Sequence, residues 1–337
     1  MPRKPKALVV MDSDTLEDQF DAVRLRRLAD LVDLERLLWT DTLDDPSTVQ
    51  VLEDVEILIT SWGVPRLTEA RLNNMPRLRA VFHCAGTVRS FVTDGFWERG
   101  ILVANGADAN AIPVAEFTFA SILLAGKKAQ FLAADARIHR SDWSYVSARG
   151  ELGNTGRTIG VIGFSRVGRR VVRLLQQMQD VTCLVVDPYA DPDEVTAAGG
   201  IPATMEDMLP RADTVSIHAP DLPETQNMIG AVELAAMKDH ATLINTARGA
   251  LVDTSALEAE CKTGRLHAIL DVTAPEPLPA DSVLYDLPNV IITPHIAGSL
   301  GAETRRMADT ALDELERYLA GEQLRAQVRL PDLGLSA

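Results

Sequence analysis

Residues Thr158–Asp187 read TIGVIGFSRVGRRVVRLLQQMQDVTCLVVD, and this stretch decides how the rest of the chain is interpreted. A β-branched run, Thr158–Ile162, leads into glycines at 160, 163 and 168, and apolar residues then recur at helical spacing from Val167 to Met178. A second apolar run, Val181–Val186, ends on Asp187. The stretch therefore predicts a strand, a tight turn, a helix and a second strand with an acid at its end.

The turn between the predicted strand and helix is typical of a dinucleotide-binding site. Its three diagnostic positions are Gly163, Ser165 and Gly168, and the backbone N–H groups of such a turn face a pyrophosphate at the helix N-terminus. Asp187 would then accept hydrogen bonds from the adenosine ribose. Ser165 departs from the pattern, because glycine is usual where backbone and pyrophosphate approach closely. An ordinary βαβ unit, whose glycines only form a tight turn, is the alternative at this point.

Composition and charge indicate a soluble globular protein and narrow its partners. The 337 residues leave room for about two domains, and 46% of them are hydrophobic and 24% charged. A net charge of −15 argues against nucleic acid or an anionic membrane surface as the main partner. Acids begin at Asp12, unlike in a signal peptide, and no apolar run approaches the ~18 residues of a membrane span. The three cysteines are far apart, which favours reduced thiols and a cytoplasmic location.

Segments on both sides of the opening stretch alternate between strand and helix patterns. The predicted strands are Leu8–Met11, Ile57–Thr60, Leu78–His83, Leu102–Ala104, Thr214–His218, Ala241–Asn245, Ala268–Asp271 and Val290–Thr293. The predicted helices are Leu16–Leu31, Phe91–Arg99, Val114–Ala136, Asp193–Ala198, Ser255–Lys262 and Glu303–Leu319. Ser255 and Glu258 match a capping box, and Val114–Ala136 is apolar enough to be buried between domains or subunits. The order predicts a small α/β domain and a mostly parallel, doubly wound sheet.

Three loops that follow predicted strands carry chemically active side chains. Arg248 lies in INTARGALVD, Asp271 and Glu276 lie in DVTAPEPLP, and His295 lies in IITPHIAGS. Ligands in open α/β sheets bind beyond the carboxyl ends of strands, so the loops are expected to converge on one crevice. Arginine offers a planar fork of donors to a carboxylate, and a carboxylate bonded to histidine holds one tautomer and favours the protonated ring. Reduction of an α-keto acid needs such a cation, a proton donor and its partner, with hydride from a nicotinamide.

Each of these side chains also has an ordinary structural explanation. Arg248 would cap a helix or pair with an acid, Glu276 would be solvated in a proline-rich loop, and His295 would be a buried histidine with satisfied hydrogen bonds. The same explanation applies to His83 and His218, which also lie at the ends of predicted strands. The sequence shows no His/Cys spacing typical of a metal site and no Gly-x-Ser-x-Gly nucleophile turn.

Taken together, the motifs resemble the D-isomer-specific 2-hydroxyacid dehydrogenase family over nearly the whole chain. The resemblance rests on AGT after Leu78–His83, VAE at Val114–Glu116, the glycine turn, VSIHAP, PETQNMIG, NTARGALVD, DVTAPEP and TPHIAG, in this order. It implies a Rossmann-type doubly wound parallel sheet, residues 106–298, inserted into a smaller flavodoxin-like α/β substrate domain, residues 1–105 and 299–337. The family is typically a homodimer joined through the nucleotide-binding domain, with the catalytic cleft between the domains.

The resemblance also implies an activity and assigns roles to single residues. The chain would be an NAD-dependent enzyme for a small D-2-hydroxy acid or 2-keto acid, with His295 and Glu276 as the acid/base pair. Arg248 would bind the substrate carboxylate, Asp187 the adenosine ribose and Asp271 the nicotinamide carboxamide. The implied cofactor-binding residues are Thr87, Gly163, Ser165, Arg166, Val167, Gly168, Asp187, Thr246, Ala247, Arg248, Asp271 and His295. The implied substrate-binding residues are Ala85, Gly86, Thr87, Arg248 and His295, and no metal is expected.

Two departures from the family pattern affect these expectations. Ser165 replaces the middle glycine, and Val88, Arg89, Ser90 and Phe91 stand where the family often has Gly followed by Asp and Asn. In relatives that loop supplies backbone N–H groups to the substrate carboxylate, so the substrate stays open, and Arg89 is either a further cation there or a solvated surface residue. A non-catalytic NAD(H)-sensing protein is the competing interpretation, and the presence of Arg248, Glu276 and His295 favours the enzyme.

Overall fold

The computed structural model describes residues 3–34 and 38–334, and the chain forms two compact units. Unit 1 comprises Met1–Asn110 and Ser299–Ser336, and unit 2 comprises Ala111–Gly298. Unit 2 is therefore an insertion in the chain of unit 1. The Ser299 N–H donates to Asn110 Oδ1 at 2.9 Å, which joins the two points where the chain leaves and re-enters unit 1.

Unit 1 is built on a six-stranded sheet. Its strands are β1 (Ala7–Val10), β2 (Trp39–Thr40), β3 (Ile57–Thr60), β4 (Ala80–His83), β5 (Leu102–Asn105) and β13 (Gln327–Val328). Their order is β13-β5-β4-β3-β1-β2, and all pairs are parallel except β13 with β5. β1, β3 and β4 are buried along their whole length, as in a sheet covered on both faces. The short strands β2 and β13 were not predicted from sequence patterns.

The helices of unit 1 are shorter than the periodicity predicts. They are α1 (Ser13–Gln19), α2 (Ala22–Leu31), α3 (Pro46–Leu52), α4 (Glu69–Asn73), α5 (Asp94–Glu98) and, after unit 2, α13 (Arg305–Leu319). The single helix expected over Leu16–Leu31 is wrong, because the carboxylate of Asp21 accepts from the N–H groups of Val23 and Arg24 and caps a new helix there. Ala311 and Leu315 of α13 pack in one apolar cluster with strand residues of the sheet.

Helix α6 (Ala107–Gly126) begins in unit 1 and continues into unit 2, where α7 (Ala129–His139) follows. The uninterrupted helix expected over Val114–Ala136 is wrong, because Lys128 has left-handed backbone angles (φ 50°) and separates the two helices. Within the described residues, α6 is the one helix long and apolar enough to cross a membrane, and 44% of that window is buried. Core helices of globular proteins meet the same criterion, so this is weak support for a membrane span.

Unit 2 is built on a seven-stranded, wholly parallel sheet. Its strands are β6 (Thr158–Ile162), β7 (Thr182–Val186), β8 (Ile201–Pro202), β9 (Thr214–Ile217), β10 (Thr242–Asn245), β11 (His267–Leu270) and β12 (Val290–Ile292). Their order is β12-β11-β10-β9-β6-β7-β8, which is the doubly wound arrangement of a Rossmann-type fold. The helices besides α6 and α7 are α8 (Arg166–Leu175), α9 (Pro192–Ala197), α10 (Met205–Met208), α11 (Ala231–Ala236) and α12 (Thr254–Lys262). The predicted fold class is confirmed.

Apolar side chains cover both faces of the unit 2 sheet. Leu243 of β10 packs in one cluster and its neighbour Ile244 packs in another, as expected for alternation along a strand. Because all seven strands are parallel, their carboxyl ends share one edge, and every site residue predicted in unit 2 follows one of these ends.

The capping box expected at Ser255 and Glu258 is wrong. The N-cap of α12 is Asp253, whose side chain accepts from the Ala256 N–H at 3.0 Å. Glu258 instead accepts from the Ser282 hydroxyl at 3.2 Å. Asp253 ends the NTARGALVD motif, so the motif is followed directly by the start of a helix.

Candidate active site

Two glycines close the turn after β6. Gly163 has φ +93°, and a Cβ there would lie 2.7 Å from the backbone of His218 and of Ala219. A Cβ at Gly168 would lie 1.9 Å from the carbonyl oxygen of Gly163, so α8 packs directly against the turn. Both positions require glycine because backbone approaches backbone there.

Ser165 is the N-cap of α8, and its Oγ accepts from the Gly168 N–H at 3.4 Å. Its backbone is extended, with φ −67° and ψ −173°, so this position does not require glycine for its conformation. Within residues 3–34 and 38–334, the N–H groups of Ser165, Arg166 and Val167 have no acceptor, and they lie at the positive end of α8. Three such donors suit a phosphate or pyrophosphate group.

Asp187 follows β7 and connects the end of that strand to the glycine turn. Its Oδ2 accepts from the Phe164 N–H at 2.6 Å, and its Oδ1 accepts from the N–H groups of Tyr189 at 2.8 Å and Ala190 at 3.2 Å. A carboxylate has about four acceptor positions, so one remains for an outside donor such as a ribose hydroxyl.

Arg248 follows β10 on a loop that packs against the loop after β11. A Cβ at Gly249 would lie 2.0 Å from the backbone of Thr273, so the two loops approach this closely only because residue 249 is glycine. The half-buried guanidinium of Arg248 donates to the Ala247 carbonyl at 2.6 Å, and no acid in the described part of the chain lies within ion-pair distance of it. Arg248 therefore keeps donors for an anionic ligand, and the ion-pair alternative does not apply.

His295 and Glu276 form the closest pair of titratable side chains in the site. His295 Nδ1 lies 2.6 Å from Glu276 Oε1, and the two side chains are 51% and 43% exposed. This exposure leaves the other ring nitrogen of His295, Nε2, open to a ligand. The geometry is that of a histidine whose tautomer is fixed by a carboxylate.

The backbone of His295 is held in a rare conformation by Asp271. His295 has φ 55°, which few non-glycine residues adopt, and its N–H donates to the carbonyls of Asp271 and Thr293. The buried Asp271 carboxylate accepts from the Thr293 hydroxyl at 2.6 Å and from the N–H groups of Ile296 at 2.8 Å and Ala297 at 2.9 Å. Asp271 thus fixes the chain on both sides of His295, a role that the sequence did not predict.

Thr246 and Ala247 form the start of the Arg248 loop. The buried Thr246 Oγ1 lies 2.8 Å from Thr118 Oγ1 of α6, and the Ala247 N–H donates to Asn245 Oδ1 at 3.0 Å. These contacts tie the loop to β10 and α6 before the chain reaches Arg248.

In unit 1, Ala85, Gly86 and Thr87 follow β4. In the described ranges no acceptor contacts their N–H groups, and a Cβ at Gly86 would meet no atom within 4 Å. Thr87 Oγ1 accepts from the Arg89 N–H at 3.3 Å, and the exposed guanidinium of Arg89 donates to the Leu333 carbonyl. Arg89 is therefore tied to the C-terminal segment of unit 1.

His83 and His218 have the ordinary structural explanation. Both are buried, and desolvation lowers the pKa of each ring to about 3, so both are neutral. His83 Nδ1 lies 2.9 Å from Thr60 Oγ1, and His218 Nε2 lies 2.9 Å from Ser216 Oγ. Across residues 3–34 and 38–334, His, Cys, Asp and Glu side chains form no group of three or more that could hold a metal ion.

The sequence also matches known proteins. Residues 121–297 match the family model described as D-isomer specific 2-hydroxyacid dehydrogenase, NAD binding domain. The chain is 32% identical over 290 residues to the D-3-phosphoglycerate dehydrogenase of Methanocaldococcus jannaschii, covering 85% of this chain and 54% of that protein. It is 32% identical over 282 residues to glyoxylate/hydroxypyruvate reductase B of Yersinia enterocolitica, covering 82% of this chain and 85% of that protein. The chain thus spans about half the length of the archaeal phosphoglycerate dehydrogenase it matches.

Solved structures show the same fold. The crystal structure of D-mandelate dehydrogenase from Rhodotorula graminis matches with a TM-score of 0.82 and 20% identity, over 97% of this chain and 98% of that one. Likeness at this identity concerns the fold alone.

Proposed function

Since the chain belongs to the D-isomer-specific 2-hydroxyacid dehydrogenase family and contains its NAD-binding domain, we propose that it transfers hydride between NAD(H) and a small D-2-hydroxy acid/2-keto acid pair. The observation that carries this proposal is the 2.6 Å contact between His295 Nδ1 and Glu276 Oε1. Arg248, a cation without an acidic partner among the described residues, lies on a loop packed against the one that bears Glu276.

In the reduction direction, this chain supplies the proton and bound NADH supplies the hydride. Glu276 accepts a hydrogen bond from His295 Nδ1 and fixes the orientation of the ring, so Nε2 is the nitrogen that carries the transferred proton. As the keto carbon accepts hydride, its oxygen becomes an alkoxide, and His295 Nε2 donates its proton to that oxygen. In the oxidation direction both transfers reverse, and His295 acts as the base.

Arg248 binds the carboxylate of the substrate. Its planar guanidinium offers paired donors to the two carboxylate oxygens and fixes the orientation of the keto group. The resemblance assigns further carboxylate contacts to Ala85, Gly86 and Thr87. Their N–H groups, which have no acceptor among the described residues, support the assignment.

The cofactor is NAD rather than NADP. The N–H groups of Ser165, Arg166 and Val167, which no acceptor in the described part of the chain contacts, would hold the pyrophosphate. Asp187 would accept from the ribose 2′-hydroxyl and repel a 2′-phosphate. Thr246, Ala247 and Asp271 keep the cofactor contacts that the resemblance assigns to them.

His295→Asn tests the acid/base role. Asparagine tolerates the left-handed backbone of residue 295 but cannot transfer the proton. We expect kcat to fall about 10²–10⁴-fold, with NADH affinity unchanged, in an assay of NADH oxidation by glyoxylate, hydroxypyruvate or pyruvate. His139→Asn, at an exposed histidine of α7, is the matched control and should keep the wild-type rate.

Two results would contradict the proposal. One is a His295→Asn variant with wild-type kcat. The other is a wild-type protein that binds NADH yet reduces no 2-keto acid, which would favour the NAD(H)-sensing alternative. NADPH should support slower turnover than NADH at equal concentration.

The proposal includes a homodimer joined through the nucleotide-binding unit and a cytoplasmic location. Exposed apolar side chains in the segment from α6 to β6 support the dimer: Leu124, Ile138, Trp143 and Leu152. The three cysteines are free and buried, which suits a reducing compartment. A solution mass of twice 36.7 kDa would check the dimer.

A further inference from the structure

We propose that Gln19, Ser61 and Asn105 are positioning residues that aim the N–H groups of Ala85, Gly86 and Thr87 at the substrate carboxylate. The inference rests on the proposed function and adds the side chains that give this loop its binding geometry. All the residues involved belong to unit 1.

Three consecutive carbonyl groups of the loop are held by donors from other parts of unit 1. The Cys84 carbonyl accepts from Gln19 Nε2 at 3.0 Å and from Ser61 Oγ at 3.1 Å. The Ala85 carbonyl accepts from the Gly106 N–H at 2.9 Å, and the same N–H also donates to the His83 carbonyl at 2.9 Å. The Gly86 carbonyl accepts from Asn105 Nδ2 at 2.6 Å.

Holding these carbonyls fixes the direction of the next three N–H groups. A trans peptide is planar, and the C=O of one residue points opposite to the N–H of the following residue. The held carbonyls of Cys84, Ala85 and Gly86 therefore turn the N–H groups of Ala85, Gly86 and Thr87 away from their donors. Those N–H groups have no acceptor in the described ranges, and the space beside Gly86 is open, so they are available as donors to an anion.

The hydrogen bond from Gln19 to the Cys84 carbonyl is the one that best fits a role in substrate binding rather than in stability. The residue is fully buried at the end of α1, and its Oε1 has no partner among the described atoms. A buried acceptor without a partner destabilises the fold, and an apolar side chain of similar length would avoid that cost. What the glutamine provides instead is the Nε2 donor to the Cys84 carbonyl.

Asn105 combines two functions that one substitution separates. Its Oδ1 accepts from the Ala107 N–H at 3.3 Å at the start of α6, while its Nδ2 holds the Gly86 carbonyl. Asn105→Asp keeps the acceptor for Ala107 but replaces the donor with an oxygen that repels the Gly86 carbonyl. This substitution therefore releases the loop without removing the contact at the helix start.

The test compares Gln19→Met and Asn105→Asp with Thr48→Val. Thr48 is a buried hydroxyl of α3 that contacts Thr40 and no carbonyl of the loop. We expect KM for the best 2-keto acid to rise about threefold to thirtyfold in the first two variants, the range of one to two lost hydrogen bonds. Their NADH affinity should stay at the wild-type value, the melting temperature of Gln19→Met should not fall, and Thr48→Val should keep the wild-type KM.

Unchanged KM in both Gln19→Met and Asn105→Asp, with wild-type turnover intact, would overturn the inference and leave the proposed function standing. A wild-type protein without turnover on any 2-keto acid would overturn the proposed function, and the substrate role of the loop with it.

Discussion

The turn Gly163–Gly168 in unit 2 and the loop Cys84–Thr87 in unit 1 both present three consecutive N–H groups without acceptors among the described residues. They reach this state in different ways. In the turn, the donors are the unpaired N–H groups at the start of α8, and glycines let backbone segments approach. In the loop, no helix begins, and donors from three separate segments of unit 1 hold the carbonyls instead.

The difference shows that a set of open N–H donors can be specified by a local sequence motif or by tertiary contacts. The three open N–H groups, the N-cap Ser165 and both glycines of the turn lie between Gly163 and Gly168, and Asp187 adds a bond to the Phe164 N–H from the end of the next strand. The loop depends on residues 19, 61, 105 and 106, which are distant in sequence and ordinary in type. The turn should therefore lose ligand binding when one of its own residues is substituted. The loop should lose ligand binding when one of the distant residues that hold its carbonyls is substituted.

The largest expected difference is between Gly163→Ala and Gly86→Ala. Gly163 has positive φ, and a Cβ there would lie 2.7 Å from backbone atoms, so alanine should weaken NADH binding at least ~100-fold or prevent unit 2 from folding. Gly86 has open space beside it, so alanine should raise KM for the keto acid by less than about tenfold, the equivalent of 1.4 kcal/mol. NADH fluorescence titration, steady-state kinetics and melting curves of both variants would measure this. Equal effects of the two substitutions would contradict the contrast drawn between the turn in unit 2 and the loop in unit 1.

Substitutions of Ser165, within the turn, should change NADH affinity less than Gly163→Ala does. Glycine is a nearly equivalent N-cap, and loss of the capping oxygen costs about 0.5–2 kcal/mol. We therefore expect Ser165→Gly to shift NADH affinity less than about tenfold. Ser165→Val lacks the acceptor for the Gly168 N–H and should bind NADH more weakly than both wild type and Ser165→Gly. If Ser165→Val bound NADH as tightly as wild type, the pyrophosphate would not lie against this turn.

The last expected effect concerns folding stability rather than binding, and it involves the buried histidines His83, just before the loop, and His218, which packs near the turn. Burial lowers the pKa of His83 and of His218 to about 3, below the ordinary value of 6.5, so unfolding takes up protons below pH 6.5. Their contribution to stability is complete above pH 6.5 and is lost as pH falls towards 3, at up to about 1.4 kcal/mol per pH unit for each ring. Denaturation midpoints at pH 7 and pH 5 should differ less in His83→Gln and His218→Gln than in wild type. An identical pH dependence in all three proteins would show that these rings do not contribute.

Much of the fold follows from short-range pattern. The strands Ile57–Thr60 and Thr158–Ile162 occur at the predicted residues, because buried β-branched runs bounded by turn residues have few alternatives. The helix breaks at Asp21 and Lys128 were missed, since apolar periodicity continues across both positions and only the cap or the backbone angle interrupts it. β13 was missed because two residues at a sheet edge carry no periodic signal.

The candidate site divides in the same way. Arg248, Glu276 and His295 were predicted from motifs that follow strands, and the strand order explains why their loops share one edge of the unit 2 sheet. The contacts of Asp271 with Ile296 and Ala297, and of Gln19 with Cys84, were not predicted. The partners in these hydrogen bonds are backbone groups, which every residue has, so the sequence does not indicate which residue Asp271 or Gln19 contacts.

The hydrogen bond between Asn110 and Ser299 has a consequence for how such a chain is assembled in evolution. The two points at which unit 1 is interrupted are already joined to each other, so residues 111–298 form one continuous segment with a shared entry and exit. Exchange of the corresponding gene segment would replace residues 111–298 as one piece, with one of its two joins inside α6. Selection on nucleotide recognition can then act on one stretch of DNA, separate from the flanking stretches that encode Gln19, Ser61 and Asn105.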